Sequence, residues 1–102
     1  MKSRIIYIDI DDTICRLKIA GNYESAVLIP EALEKVNKLY DEGHRIIFWT
    51  ARGTVSGIDW RPTTQRQLRE WGFKYHELKF GKPDYDVFID DKNVNSKHWL
   101  YE

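Results

Sequence analysis

The chain has 102 residues, 42% of them hydrophobic and 14% aromatic, which suits one small globular domain over 1–102 and leaves no room for a second. Sixteen Lys plus Arg balance sixteen Asp plus Glu, so the net charge is zero and nothing points to nucleic acid or an anionic membrane surface as a partner. A single cysteine, Cys15, excludes an intrachain disulfide and a cysteine-rich zinc site.

In chain order, RIIYIDI (4–10) is β-rich without a helical period and predicts a buried strand. The stretch 13–29 has two β-leaning pieces around Gly21-Asn22 and predicts a small hairpin or flap. Pro30 opens a helix whose apolar face carries Leu33, Val36, Leu39 and Tyr40, and Gly43 closes it. RIIFWT (45–50) predicts a second buried strand, 51–60 a glycine-containing loop, and 61–72 a helix ending at Gly72. KYHEL (74–78) and YDVFID (85–90) predict a third and a fourth strand, followed by a polar loop and a closing helical turn. Strands alternating with helices argue for an α/β domain with a parallel sheet and right-handed crossovers. No stretch approaches the ~18 apolar residues of a membrane span, and the start lacks signal-peptide features, so a cytoplasmic protein is expected.

Ligands of such sheets bind beyond the carboxyl ends of the strands. Asp9, Asp11 and Asp12 follow the first strand, Thr50 ends the second, and Asp90 and Asp91 end the fourth. Asp9 and Asp90 at neighbouring strand ends suit a hard divalent cation; few oxygen ligands favour Mg²⁺, which keeps its waters and binds phosphate substrates. The Thr50 hydroxyl and the backbone N–H groups of Ala51 and Asp12 suit phosphate oxygens. Lys79 and Lys82 both lie ahead of the fourth strand, and either could supply a cation. An Asp carboxylate can attack phosphorus to form an aspartyl phosphate, while a second carboxylate two residues on serves as acid and base.

YIDIDDTI, with its Asp-x-Asp-x-Thr after an apolar strand, resembles the first motif of the haloacid dehalogenase (HAD) superfamily. RIIFWTAR resembles the second motif, GKP the lysine motif and DVFIDD the fourth, in the family's order. The resemblance implies a Rossmann-like, doubly wound parallel sheet and a Mg²⁺-dependent phosphatase acting on a small phosphorylated metabolite, such as a sugar phosphate. It implies Asp9 as nucleophile, Asp11 as acid/base, and Thr50 and Lys82 as phosphoryl ligands. Mg²⁺ would be held by the Asp9 carboxylate, the Asp11 carbonyl and Asp90, with Asp91 on its water shell. GKP favours Lys82 over Lys79. The chain is also similar to small HAD proteins associated with capsule and lipopolysaccharide biosynthesis. The stretches 14–30 and 51–61 are too short for the cap domain many relatives insert, so the chain looks like a capless member.

Beside these stand plainer readings. Cys15 reads as a core residue, and His44, His76 and His98 as structural. Arg52 reads as either a substrate contact or a surface salt bridge. Trp60 and Trp99 are candidates for a homo-oligomer contact that could replace the missing cap. A receiver-like phospho-acceptor module and a polynucleotide end phosphatase are the competing functions. The first is disfavoured because the second strand ends in Thr50 and not Asp, the second by the zero net charge.

Overall fold

A computed structural model describes residues 2–101. Strand β1 (Ile5–Ile8) leads through a tight turn into a hairpin of β2 (Cys15–Leu17) and β3 (Ala26–Leu28), with one 3-10 turn at Tyr23–Ser25. Helix α1 (Pro30–Asp41), strand β4 (Arg45–Trp49), helix α2 (Arg61–Trp71), strand β5 (Glu77–Lys79) and helix α3 (Ser96–Tyr101) follow. β1, β4 and β5 form a parallel sheet in the order β1-β4-β5, with Ile8 level with Phe48 and Phe48 level with Leu78. This is an α/β fold. Among the described residues no helix is long and apolar enough to cross a membrane.

The helices are punctuated as their sequences require. Pro30 takes the first position of α1, where its missing N–H costs nothing. α2 ends at Gly72 with φ 90°, a left-handed turn in which the Gly72 amide reaches the carbonyls of Leu68 and Arg69. Val36 of α1, Leu68 of α2 and Leu100 of α3 share one core with Ile8, Ile46 and Phe48. Phe48 meets Phe73 and Tyr75 edge-on, at 5.5 and 5.4 Å between ring centroids.

Strand alternation puts Ile6 and Ile8 on this core face and Ile5 and Tyr7 on the other. Ile5 and Tyr7 are exposed, so β1 is buried on one face only, unlike the fully buried strand expected. The fourth strand expected over 85–90 is also absent: the segment is irregular and exposed. Val87, Phe88 and Ile89 are flanked by Asp84, Asp86, Asp90 and Asp91, and among the described residues they pair with no strand. β5 lies at 77–79, slightly later than expected, because pairing with β4 selects those residues.

Candidate active site

The carboxyl ends of β1 and β4 bring Asp9, Asp11, Thr50, Arg52 and Lys82 together. Asp9 Oδ1 accepts the Ile10 N–H at 2.8 Å, which fixes the carboxylate and leaves Oδ2 facing Lys82 Nζ at 3.5 Å. The Asp9 side chain is 38% exposed and that of Lys82 13%. Burial pushes the Asp9 carboxyl above its ordinary value, and Lys82 and the Ile10 amide only partly oppose this. Lys82 is itself held in place. Its N–H donates to the Thr50 carbonyl at 3.1 Å, its carbonyl accepts the Thr54 hydroxyl at 2.8 Å, and its ammonium lies 5.9 Å from the Trp49 ring and 5.4 Å from that of Tyr85. Lys79 instead points at the Tyr7 hydroxyl, 3.1 Å away. Lys82 is therefore the lysine at Asp9.

Arg52 is neither a surface ion pair nor open to substrate. It is buried, and its guanidinium grips both oxygens of Asp11, Nε to Oδ2 at 3.0 Å and Nη2 to Oδ1 at 2.8 Å. Nη1 donates to Thr64 Oγ1 at 3.1 Å and Gln67 Oε1 at 2.6 Å, and the cation sits 4.9 Å from the Tyr23 ring centroid. Thr64, Gln67 and Tyr23 were missed in the sequence. Two polar residues beside Leu68 on the inward face of α2 are the available signal: polar groups at core-facing helical positions imply a buried charge to satisfy.

The same cluster ties the β2–β3 flap to α2. Gln67 Nε2 donates to the Tyr23 carbonyl at 2.8 Å, and Arg66 and Thr63 both bond Glu24, at 2.7 and 3.0 Å. Trp60 packs edge-on against Tyr23 at 5.0 Å. Cys15 lies beneath, fully buried, with Sγ 3.5 Å from Asp11 Oδ1; burial and then the Asp11 charge push its thiol up to about 12. It is a core residue, as expected.

Several expected phosphate ligands are already engaged. Thr50 is buried and its hydroxyl accepts the Arg52 N–H at 3.1 Å. Asp12, at φ 64°, donates its N–H to the Cys15 carbonyl at 2.8 Å, which removes it as an anion donor. Among the described residues the Ala51 N–H meets no acceptor. His44 and His76 are structural: each accepts a backbone N–H at Nδ1, from Arg4 at 3.1 Å and Ile46 at 3.0 Å.

Asp90 and Asp91 are not at the site. Both are exposed on the 85–95 segment, and Asp90 Oδ1 accepts the Lys92 N–H at 3.0 Å, a bond that lowers its pKa. Among the described residues no three Asp, Glu, His or Cys side chains converge on a metal position. Of the donors expected for Mg²⁺, the Asp9 carboxylate and the Asp11 backbone carbonyl stand at the end of β1, while Asp90 lies on the exposed 85–95 segment.

No protein-family model matches the sequence, and no curated protein matches it either. A crystal structure of an MCSG target from Vibrio cholerae superimposes with a TM-score of 0.87 at 20% identity, over 97% of this chain and 89% of that one. The fold is shared. At that identity the likeness extends to architecture alone.

Proposed function

We propose that this chain is a capless HAD-type phosphatase that hydrolyses a small phosphorylated metabolite through an aspartyl phosphate on Asp9. The observation that carries the reading is the Asp9–Lys82 pair, 3.5 Å apart beyond the carboxyl end of a parallel sheet. The four ordered motifs and the parallel order β1-β4-β5 support the Rossmann-like arrangement that belongs to the same proposal; the described helices share one face of the sheet, and double winding would need a helix on the other.

The chain's own groups define the chemistry. With Oδ1 anchored by Ile10, Asp9 Oδ2 is the oxygen that attacks phosphorus. Lys82 and the Ala51 N–H neutralise charge on the equatorial oxygens, where most of the barrier lies. The leaving oxygen takes a proton from Asp11, which turns one oxygen away from Arg52 to deliver it. Water then attacks the aspartyl phosphate, Asp11 takes the water proton, and phosphate leaves with Asp9 regenerated. Mg²⁺ belongs to the same proposal: the Asp9 carboxylate and the Asp11 carbonyl would hold it, and it would supply counter-charge to the phosphate.

Turnover of an aryl phosphate by the wild-type chain tests the proposal, with Asp9→Asn as control. The expected result is multiple turnovers lost by more than tenfold in the variant. Retention of a tenth or more of the activity by Asp9→Asn removes Asp9 as nucleophile.

A further inference from the structure

The open edge of β1 and the segment 85–90 are complementary and both unused. Among the described residues β1 bonds only β4, so its other edge presents unpaired backbone groups beside exposed Ile5 and Tyr7. In 85–90, Val87 is 73% exposed and Ile89 94%, with Tyr85 and Phe88 exposed as well. Adjacent apolar side chains left this open on a β-rich stretch mark a contact surface.

We propose that residues 86–90 of one copy pair in parallel with β1 of a second copy, so that Asp90 joins the site of Asp9 in trans. The register that sets Asp90 beside Asp9 also sets Ile89 beside Ile8, Phe88 beside Tyr7 and Val87 beside Ile6. Val87 and Ile89 then face the core with Ile6 and Ile8, and Phe88 covers Tyr7 on the open face. A slip of one residue would turn every one of these side chains to the wrong face.

The chain cannot make this pairing with its own β1. The Lys82 N–H is bonded to the Thr50 carbonyl, and the β1–β4 register puts Thr50 level with Ile10, beyond the end of β1. From Ile10 down to Ile5 is about 16 Å at the rise of a strand. The chain from Lys82 to Asp86 reaches at most about 14 Å and must still reverse direction. Pro83 restricts Lys82 to an extended conformation, which leaves no tight turn there. In a two-fold dimer with the β1 edges antiparallel, descent in one copy is ascent in the other. A segment running down from Lys82 is then parallel to the second copy's β1 without any reversal. From Asp90 the chain has about 20 Å of reach in which to return to Ser96, whose hydroxyl bonds the Asp12 carbonyl of its own copy.

The pairing stands on geometry, and its catalytic meaning rests on the phosphatase reading above. Two measurements separate them. In the first, Tyr7→Cys chains are co-expressed with Phe88→Cys chains and oxidised. A covalent heterodimer, absent when either variant is alone, is expected. No heterodimer, or a bridge formed only within a chain carrying both substitutions, overturns the proposal. In the second, Asp9→Asn and Asp90→Asn chains, each inactive alone, are co-expressed. Random pairing assembles one intact site in half the dimers, so about a quarter of wild-type activity should return. No recovery while wild type is active overturns the proposal. An inactive wild type refutes the phosphatase reading alone and leaves the cross-link to decide the pairing.

Discussion

Arg52 is the side chain on which the site's geometry turns. Its donors satisfy Asp11, Thr64 and Gln67 at once, and among the described residues none of these has another cation. Arg52→Ala should destabilise the fold by about 3 kcal/mol, the low end for breaking a buried pair because the Asp11 side chain is 23% exposed. Arg52→Lys should recover little, since one ammonium cannot reproduce the planar fork. Urea denaturation measures both; a change below about 1 kcal/mol for Arg52→Ala would contradict the role. Asp9 acts in the opposite sense. Its carboxyl holds a proton more tightly in the folded chain than in the unfolded one, because burial disfavours the charge. Its contribution to stability is therefore complete below the unfolded value and lost as pH rises through the raised one. Asp9→Asn should stabilise the chain at neutral pH, by less than about 1 kcal/mol after solvent screening, and the gain should vanish in acid. Thermal melts at pH 3 and pH 7 test the sign. A residue that costs stability at the pH where it is ionised suits a catalytic purpose.

Between β4 and α2, the loop 51–60 carries Arg52 inward and Trp60 against the flap. It can do so because Gly53 turns at φ 82°, where an added Cβ would run into the Ile58 carbonyl. Gly53→Ala should cost about 1–3 kcal/mol and loosen the Trp60–Tyr23 contact, read as a shifted tryptophan emission. An unchanged melt and spectrum would show that the loop adapts. The elements around it differ in how far their sequences revealed them. α1 and α2 combine helical apolar spacing with Pro30, Pro62, Gly43 and Gly72 as punctuation, and β4 is apolar on both faces, so all three were legible. The Asp9–Lys82 meeting was legible too, as strand-end chemistry and the GKP motif. Residues 85–90 carry as good a strand pattern as β1, yet a strand needs an edge within reach, and the few residues after Lys82 do not carry the segment to the open edge of β1. The burial of Arg52 was hidden because Thr64, Gln67 and Tyr23, which make it affordable, lie far from it in sequence.

For the whole molecule, all three helices contribute to a single core on one face of a three-stranded sheet. The exposed large apolar side chains lie elsewhere, at Ile5, Tyr7 and the 85–94 segment among others, and none is a tryptophan. Trp60 packs on Tyr23 and Trp99 against the core, so neither is the freely exposed contact residue the sequence suggested. On the phosphatase reading, the flap pinned to α2 and the proposed second copy are what would shield the Asp9–Lys82 pair from water, which would otherwise weaken its electrostatics. The most direct test is to mix the chain with an aryl phosphate and Mg²⁺, quench in acid within the first turnover, and locate phosphorus by peptide mass. The account predicts one phosphoryl group on the peptide containing Asp9, lost on addition of hydroxylamine. Turnover that leaves no phosphoryl group on the chain, or leaves it on another residue, would contradict it.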